Sequence, residues 1–325
     1  MTTFKEIRGT AIESVSSDPS NPEVGQIWYN NTIGVLKGNT LTAAAWAAGG
    51  SLPAAKGFGI FGAGIQTAAF GAGGYIPGSG AVTSTQNYNG TSWTASGAMG
   101  NARYSGGSAG TQTSGLAFGG VGPSAPFVRN NTEKYDGSTW SPSGNLNTAR
   151  FGLAGCGTQT AALAFGGTPP PANLTATESF NGTSWTSVNS LNTARTSLGS
   201  AGIQTAALAF GGNGPPLSTA TESWNGTSWT TSPATLNTAR DLVGAGTQTA
   251  AIGFGGSTPT VTGATELYNG TSWTATTSMT TARNALGSAG TQTLALAFGG
   301  NTPPVTAATE EFTGATLSTK KITTS

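Results

Sequence analysis

Arginine and glutamate recur in step along this 325-residue chain. Arg103, Arg150, Arg195, Arg240 and Arg283 each open a repeated segment. Glu133, Glu178, Glu222, Glu266 and Glu310 stand at one matched place further along the same segments. Charge is otherwise scarce, with 13 Lys and Arg against 12 Asp and Glu, 8% of the residues. In so neutral a chain, matched opposite charges read as structural ion pairs joining strands or neighbouring repeats. A bidentate guanidinium–carboxylate pair fixes geometry more than it adds net stability. The other chemistry open to these residues is a ring of guanidinium groups around an axis, holding an anion. The first segment departs from the rule, with Lys56 and the neutral Gln86 at the two places.

Reactive chemistry of other kinds lacks its groups. There is no histidine and the recurring acids come one per segment, which leaves general acid–base catalysis without a pair. A Ser-His-Asp set cannot be assembled, no Cys/His cluster offers zinc ligands, and Asp is too sparse for a calcium loop. The Gly-Gly pairs are not followed by the Lys-Ser/Thr of a phosphate loop. The expectation is a protein that is not an enzyme, with no catalytic residue, no metal and no cofactor. The one cysteine, Cys156, falls where other segments have Ser or Ala, and reads as a small buried side chain. Without a basic cluster, no nucleic-acid partner is expected. No apolar run approaches the roughly 18 residues of a membrane span, and no membrane insertion is expected. The start, "MTTFKEIRGTAIESV", lacks the apolar core of a signal peptide.

What positions the Arg and Glu residues is a repeat. The phrase "YNGTSW" at 88–93 returns as "YDGSTW" at 135, "FNGTSW" at 180, "WNGTSW" at 224 and "YNGTSW" at 268, with a worn "FTGATL" at 312. Adding Trp46, the tryptophans are spaced 47, 47, 45, 44 and 44 residues apart. A Gly-Gly pair closes each segment, from Gly73-Gly74 to Gly299-Gly300, and a Gln-Thr turn precedes each pair, from Gln66 to Gln292. That makes six units with the period of a repeat architecture.

Within 194–236, "ARTSLGSAGIQTAALAFGGNGPPLSTATESWNGTSWTTSPATL", no helical apolar pattern lasts ten residues. Four short runs bounded by turn residues appear instead and predict strands a to d. Asn-Gly between strands c and d predicts a type I′ hairpin turn, with positive φ at both central residues. The same letters spell glycosylation sequons at Asn89, Asn181, Asn225 and Asn269, but the turn accounts for them. Sheets that each expose an apolar face must stack, and radial stacking closes the array. The fold expected is all-β, a six-bladed β-propeller over 41–318, with a mostly extended arm over 1–40 and a tail over 319–325. The last unit has lost its strand-d Trp, so the 41–47 segment, "TLTAAAW", is expected to insert there and close the ring.

An Arg before strand a, a Gly-Gly pair after strand b, then an aromatic and a Trp on strands c and d resemble the kelch repeat pattern over 41–315. The gap from aromatic to Trp is shorter here, and strand a is richer in Gly and Ala. The stretch "SSDPSNPEVGQIWYNNTIGVLKG" at 16–38 is similar to the head of bacteriophage virion proteins, especially tail-fibre and related structural proteins of aquatic phages. The ending "TAATEEFTGATLSTKKITTS" is similar to the same group. Some kelch-like propellers are copper oxidases, but those need His ligands that this chain lacks. The resemblance implies a multimeric virion component, assembled in the host cytoplasm. It would attach to other virion proteins through the N-terminal arm and bind a host-surface glycan or protein.

Antiparallel strands put the a–b and c–d turns on one face and the b–c and d–a loops on the other. The first face carries nearly invariant "GTQT" and "NGTS"; the second carries loops that differ from unit to unit, such as "YIPGSGAV" and "VGPSAPFVRN". Binding loops are free to differ where scaffold turns are not. The expected recognition face is therefore the b–c face, with Tyr75, Phe127 and Arg129 as anchors. The alternative is an architectural subunit (a decoration, neck or connector protein) using the propeller for protein contacts.

Overall fold

The chain divides into Ala45–Thr313 and a second unit of Met1–Ala44 with Gly314–Ser325. The structure, a computed structural model, describes residues 12–322, and among these there is no helix.

In the larger unit, blade 1 is Phe61–Ile65, Ala68–Ala72, Thr85–Tyr88 and Trp93–Ser96, strands a to d. Blade 2 is Gly107–Thr111, Ser114–Phe118, Thr132–Tyr135 and Trp140–Ser143; blade 3 is Ala154–Gly157, Ala162–Phe165, Thr177–Phe180 and Trp185–Val188. Blade 4 is Gly199–Ile203, Ala206–Phe210, Thr221–Trp224 and Trp229–Thr231; blade 5 is Asp241–Gly246, Ala251–Ser257, Thr265–Tyr268 and Trp273–Thr276. Blade 6 takes strands a to c from Gly287–Gly290, Leu294–Phe298 and Thr309–Thr313, and strand d from Ala45–Gly49. Trp46 then lies opposite Phe312, as Trp93 lies opposite Tyr88. The expected closure is thus present, made by 45–49 in place of 41–47. Strands a of successive blades touch all the way round, blade 6 meeting blade 1.

Two rings of side chains sew the blades together. Each strand-d Trp donates its indole N–H to a strand-c Thr of the preceding blade. Trp93 reaches Thr309 at 2.9 Å, Trp185 reaches Thr132 at 3.0 Å, Trp229 reaches Thr177 at 3.0 Å, and Trp46 reaches Thr265 at 3.1 Å. Trp140 and Trp273 do the same to Thr85 and Thr221. The indole also sits against a strand-b Phe of that blade, as Trp229 does against Phe165 at 4.8 Å. The a–b turn Gln makes the second ring. Gln204 donates to Ala162 O at 3.1 Å and Phe180 O at 2.6 Å, and Gln66 to Ala295 O at 3.0 Å and Phe312 O at 2.7 Å. Amide donors on buried carbonyls answer groups whose burial would otherwise be costly.

The c–d turn differs from the expectation. Tyr88 pairs with Trp93, so the loop is the four residues 89–92, not a two-residue type I′ turn. Only Gly90 has positive φ, at 91°. The Asn89 side chain supplies the second stabilising element by accepting from the backbone N–H of Thr91 at 3.0 Å and Ser92 at 2.9 Å. Asp136 accepts likewise from Ser138 and Thr139, which is why Asp replaces Asn there without loss of the turn.

Strands a wall a central channel of about 280 Å³. Around it Ser and Gly alternate from blade to blade. Ser108 donates to Gly62 O at 2.9 Å, Ser200 to Gly155 O at 2.9 Å and Ser288 to Gly244 O at 3.1 Å. The glycine is enforced by approach: a Cβ on Gly62 would lie 2.6 Å from the Phe298 ring. Cys156 lines this channel, nearly buried, and burial pushes its thiol up to about 12. Blade 1 exchanges large and small residues. Its strand a has Phe61 opposite Ala72, where blade 2 has Gly107 opposite Phe118. Its strand b has Phe70 where blade 2 has Leu116, and Gly115 of blade 2 leaves room for the Phe70 ring.

Over residues 12–40 and 319–322 the second unit corrects the expected arm and tail, whose remaining parts, 1–11 and 323–325, lie outside the described residues. Glu13–Val15, Ile27–Asn30, Val35–Thr42 and Thr316–Lys321 form one four-stranded sheet in that order. The first pair is parallel and the others antiparallel, with Leu41 opposite Leu317. Backbone pairing with the C-terminal strand gives the N-terminal segment partners that an extended arm would lack. Asp18 accepts from Lys37 Nζ at 2.5 Å, Asn30 Nδ2 at 2.9 Å and the Trp28 indole at 3.1 Å. Those bonds, Lys37's first, bring the Asp18 carboxyl down to about 2.

Candidate functional site: the b–c loop face

The recurring charges are buried inside the blades, not displayed. Arg103 pairs with Glu133 at 2.9 Å, Arg150 with Glu178 at 3.1 Å, Arg195 with Glu222 at 2.7 Å and Arg283 with Glu310 at 3.1 Å; Arg240 pairs with Glu266. Each pair lies within one blade, so it joins strands and not neighbouring blades. The guanidinium crosses strand b at a small residue, Ala117 in blade 2, whose register partner is Glu133 itself. Arg103 also donates to Gly119 O at 2.9 Å and Asn131 O at 2.6 Å. Each Glu accepts in addition from a backbone N–H of the d–a loop, as Glu222 does from Asn192 at 2.7 Å. All five arginines are fully buried, and none lines the channel, so no anion-binding ring of guanidiniums exists. Burial lowers Arg103 to about 10, against the opposing pull of Glu133. The five Nε–H groups are buried with no partner among the described residues, so these pairs organise strands more than they stabilise them.

In blade 1, Lys56 Nζ donates to Gln86 Oε1 at 2.6 Å, and desolvation brings the buried amine down to about 7. Lysine can shed its proton beside a neutral amide, whereas arginine cannot.

With the recurring charges turned inward, the b–c face presents uncharged and aromatic groups together with Arg129. Phe127 stands 59% exposed at the tip of its loop. Arg129, near it in sequence, folds back: its Nη2 donates to Ser124 O at 2.9 Å, so it holds its own loop. Tyr75, half-buried on the short pair Tyr75–Ile76 with Gly80–Ala81, makes no ring contact with Phe127. It meets instead Phe58, at 5.3 Å between ring centroids, and Tyr104, at 5.6 Å; Phe58 and Tyr104 are 6.5 Å apart. Sequence reasoning missed Phe58 and Tyr104. The signal available was departure from the repeat, since Lys56 to Gln66 is one residue longer than Arg103 to Gln112 and Phe58 is the added residue. Five of the b–c loops carry a cis X-Pro bond, at Pro126, Pro171, Pro216, Pro259 and Pro304.

Among the described residues no group of three or more His, Cys, Asp or Glu is placed to hold a metal ion. The fold and its closed rings define the all-β class of propellers built from four-stranded sheets. The chain is similar to the solved "Structure of YjhT", with a TM-score of 0.67 at 13% identity over 82% of this chain and 99% of that one. At that identity the likeness shows the fold alone. No protein-family model matches the chain, and no curated protein does.

Proposed function

We propose that this chain is a non-enzymatic bacteriophage virion protein, a tail-fibre or adhesin component that binds a host-surface ligand through the b–c loop face of its propeller. The observation that carries the reading is the asymmetry between faces. On the a–b and c–d side, the Gln and Asn side chains are engaged in scaffold hydrogen bonds. On the b–c side, Phe58 at 40% and Phe127 at 59% exposure face solvent, where aromatic groups serve as binding anchors. The phage resemblance of residues 16–38 and the kelch-like pattern of the repeats supply the setting, and the remaining virion proteins are the partners of the smaller unit.

A second reading has its own observation. Ile65, Ile203 and Leu294 are exposed on the a–b turn side, and apolar groups there fit an architectural subunit contacting other virion proteins. Immunogold labelling of purified particles with antibody to the propeller tests both. Label at a fibre tip supports the adhesin, label at neck or shell supports the connector, and particles without label overturn the virion assignment.

A further inference from the structure

Phe58, Tyr75 and Tyr104 come from three separate segments: the start of blade 1, its b–c loop, and the start of blade 2. Tyr75 and Tyr104 stand at positions that vary from unit to unit, Tyr104 where unit 3 has Phe151, and Phe58 is a residue added in unit 1. The bonds Gly59 N to Ala285 O, Ser105 N to Gly59 O and Gly152 N to Ser105 O make Gly59, not Phe58, the counterpart of Ser105 and Gly152. Phe58 has φ of 59°, in the left-handed region. A bulky side chain is disfavoured there, and strain of this kind collects at functional positions. The ring is not held for core packing, since it is 40% exposed. The backbone beneath it is fixed: Ser105 Oγ donates to Phe58 O at 2.7 Å, Ser105 N to Gly59 O at 2.8 Å, and Gly57 and Tyr75 exchange N–H···O bonds at 3.0 Å.

The phenols differ from those of the scaffold. Tyr88 donates to Glu311 at 2.6 Å, Tyr135 to Gly137 O at 2.7 Å and Tyr268 to Gly270 O at 2.8 Å. Tyr75 and Tyr104 hydroxyls have no hydrogen-bond partner among the described residues. Lys56 and Arg103, neighbours of the cluster in sequence, are buried and bonded inward, and Arg129 on the adjacent loop is tied back to Ser124 O at 2.9 Å. A preorganised apolar surface edged by unengaged hydroxyls matches a pyranose ring, which offers a C–H face and hydroxyl edges. An anionic sugar would find no countercharge in Lys56 or Arg103.

We propose that Phe58, Tyr75 and Tyr104 form a subsite for a neutral saccharide unit. The inference rests on the adhesin reading and narrows it to a ligand class and a position between blades 1 and 2.

The test uses the whole protein, a glycan array of neutral hexose and N-acetylhexosamine oligosaccharides beside sialylated and sulfated ones, and adhesion to host cells. Wild type is expected to bind neutral glycans. Phe58→Gly should weaken that binding tenfold or more while its Tm stays within about 3 °C, because relief of left-handed strain offsets lost contact. Tyr104→Phe should weaken it severalfold with Tm unchanged. Binding confined to anionic glycans, no glycan binding, or equal binding by all three proteins overturns the subsite. So does a larger fall in Tm for Phe58→Gly together with undiminished binding by Tyr104→Phe, which would make the cluster structural. Undiminished adhesion of Phe58→Gly to host cells refutes the subsite and leaves the adhesin standing; wild type that adheres to no host cell refutes the adhesin.

Discussion

Replacing Lys56 by methionine removes the one repeat-opening cation that can lose its proton inside a blade. An ordinary lysine titrates at 10.5, and desolvation brings Lys56 to about 7. Between these values the unfolded chain binds the proton and the folded chain does not, so stability rises with pH across the window. Below pH 7 the folded protein carries the full cost of a buried ammonium; above 10.5 neither state is charged. From pH 7 to pH 10 the gain approaches 1.4 kcal/mol per unit, about 4 kcal/mol in all. Lys56→Met cannot show this gain. It loses the bond to Gln86, at 2.6 Å, at every pH, a constant cost of about 1 kcal/mol. Urea unfolding of both proteins at pH 6, 7, 8, 9 and 10 isolates the effect, because the remaining titrations cancel in the difference. The variant should be more stable than wild type by about 3 kcal/mol at pH 6, lose that advantage steadily, and end about 1 kcal/mol worse at pH 10. A difference that stays flat within about 0.5 kcal/mol would show that Lys56 keeps its proton, and that hydrogen bonding outweighs burial there. Gln86→Glu should push the window upward, since a carboxylate beside Lys56 favours the ammonium.

Further expectations follow from the rings and pairs. Gln204→Ala leaves the Ala162 and Phe180 carbonyls without their side-chain donor and should cost about 2–3 kcal/mol in urea unfolding. Trp229→Phe keeps a ring against Phe165 but loses the bond to Thr177, costing about 1 kcal/mol beyond any repacking, whereas Trp229→Ala should cost about 3–5 kcal/mol. Glu222→Gln strands the buried Arg195 charge and should cost about 3 kcal/mol, while the double change Arg195→Met, Glu222→Met should recover most of it. Ala72→Phe alone overpacks blade 1 by about 1–3 kcal/mol; adding Phe61→Gly restores the large–small order of blade 2 and should relieve part of that loss.

The repeat was legible because spacing alone exposes it. Trp46, far from its blade in sequence, was identifiable by period and sits where the period requires. The charge pairing was legible because so few other partners exist for each Arg. The c–d turn was misjudged because Asn-Gly is compatible with several loops, and the Asn89 side chain stabilises a longer one. The small sheet of Glu13–Val15 and Thr316–Lys321 was hidden for another reason. Its strands come from opposite ends of the chain and lack regular apolar alternation; their pairing rests on backbone bonds and on the Asp18 network. Phe58 and Tyr104 escaped notice because single half-exposed aromatics leave no periodic trace.

A repeat protein offers its own internal reference for separating structural change from functional change. When blade 1 places Phe61 on strand a, Ala72 opposite becomes small; when Phe70 replaces a leucine, Gly115 on the next blade loses its methyl. These departures come in compensated pairs, and both phenylalanines are fully buried. Lys56 with Gln86 follows the same logic, cation and partner changing together. Phe58 follows no such exchange. It is a residue added in unit 1 between Gly57 and Gly59, its backbone has left-handed geometry, and 40% of its surface remains in water. Compensation is what selection for packing alone produces, since an uncompensated large residue would cost stability without return. Phe58, an added ring left 40% exposed and meeting two tyrosines with unengaged hydroxyls, is therefore better explained by something outside the chain than by the blade that carries it.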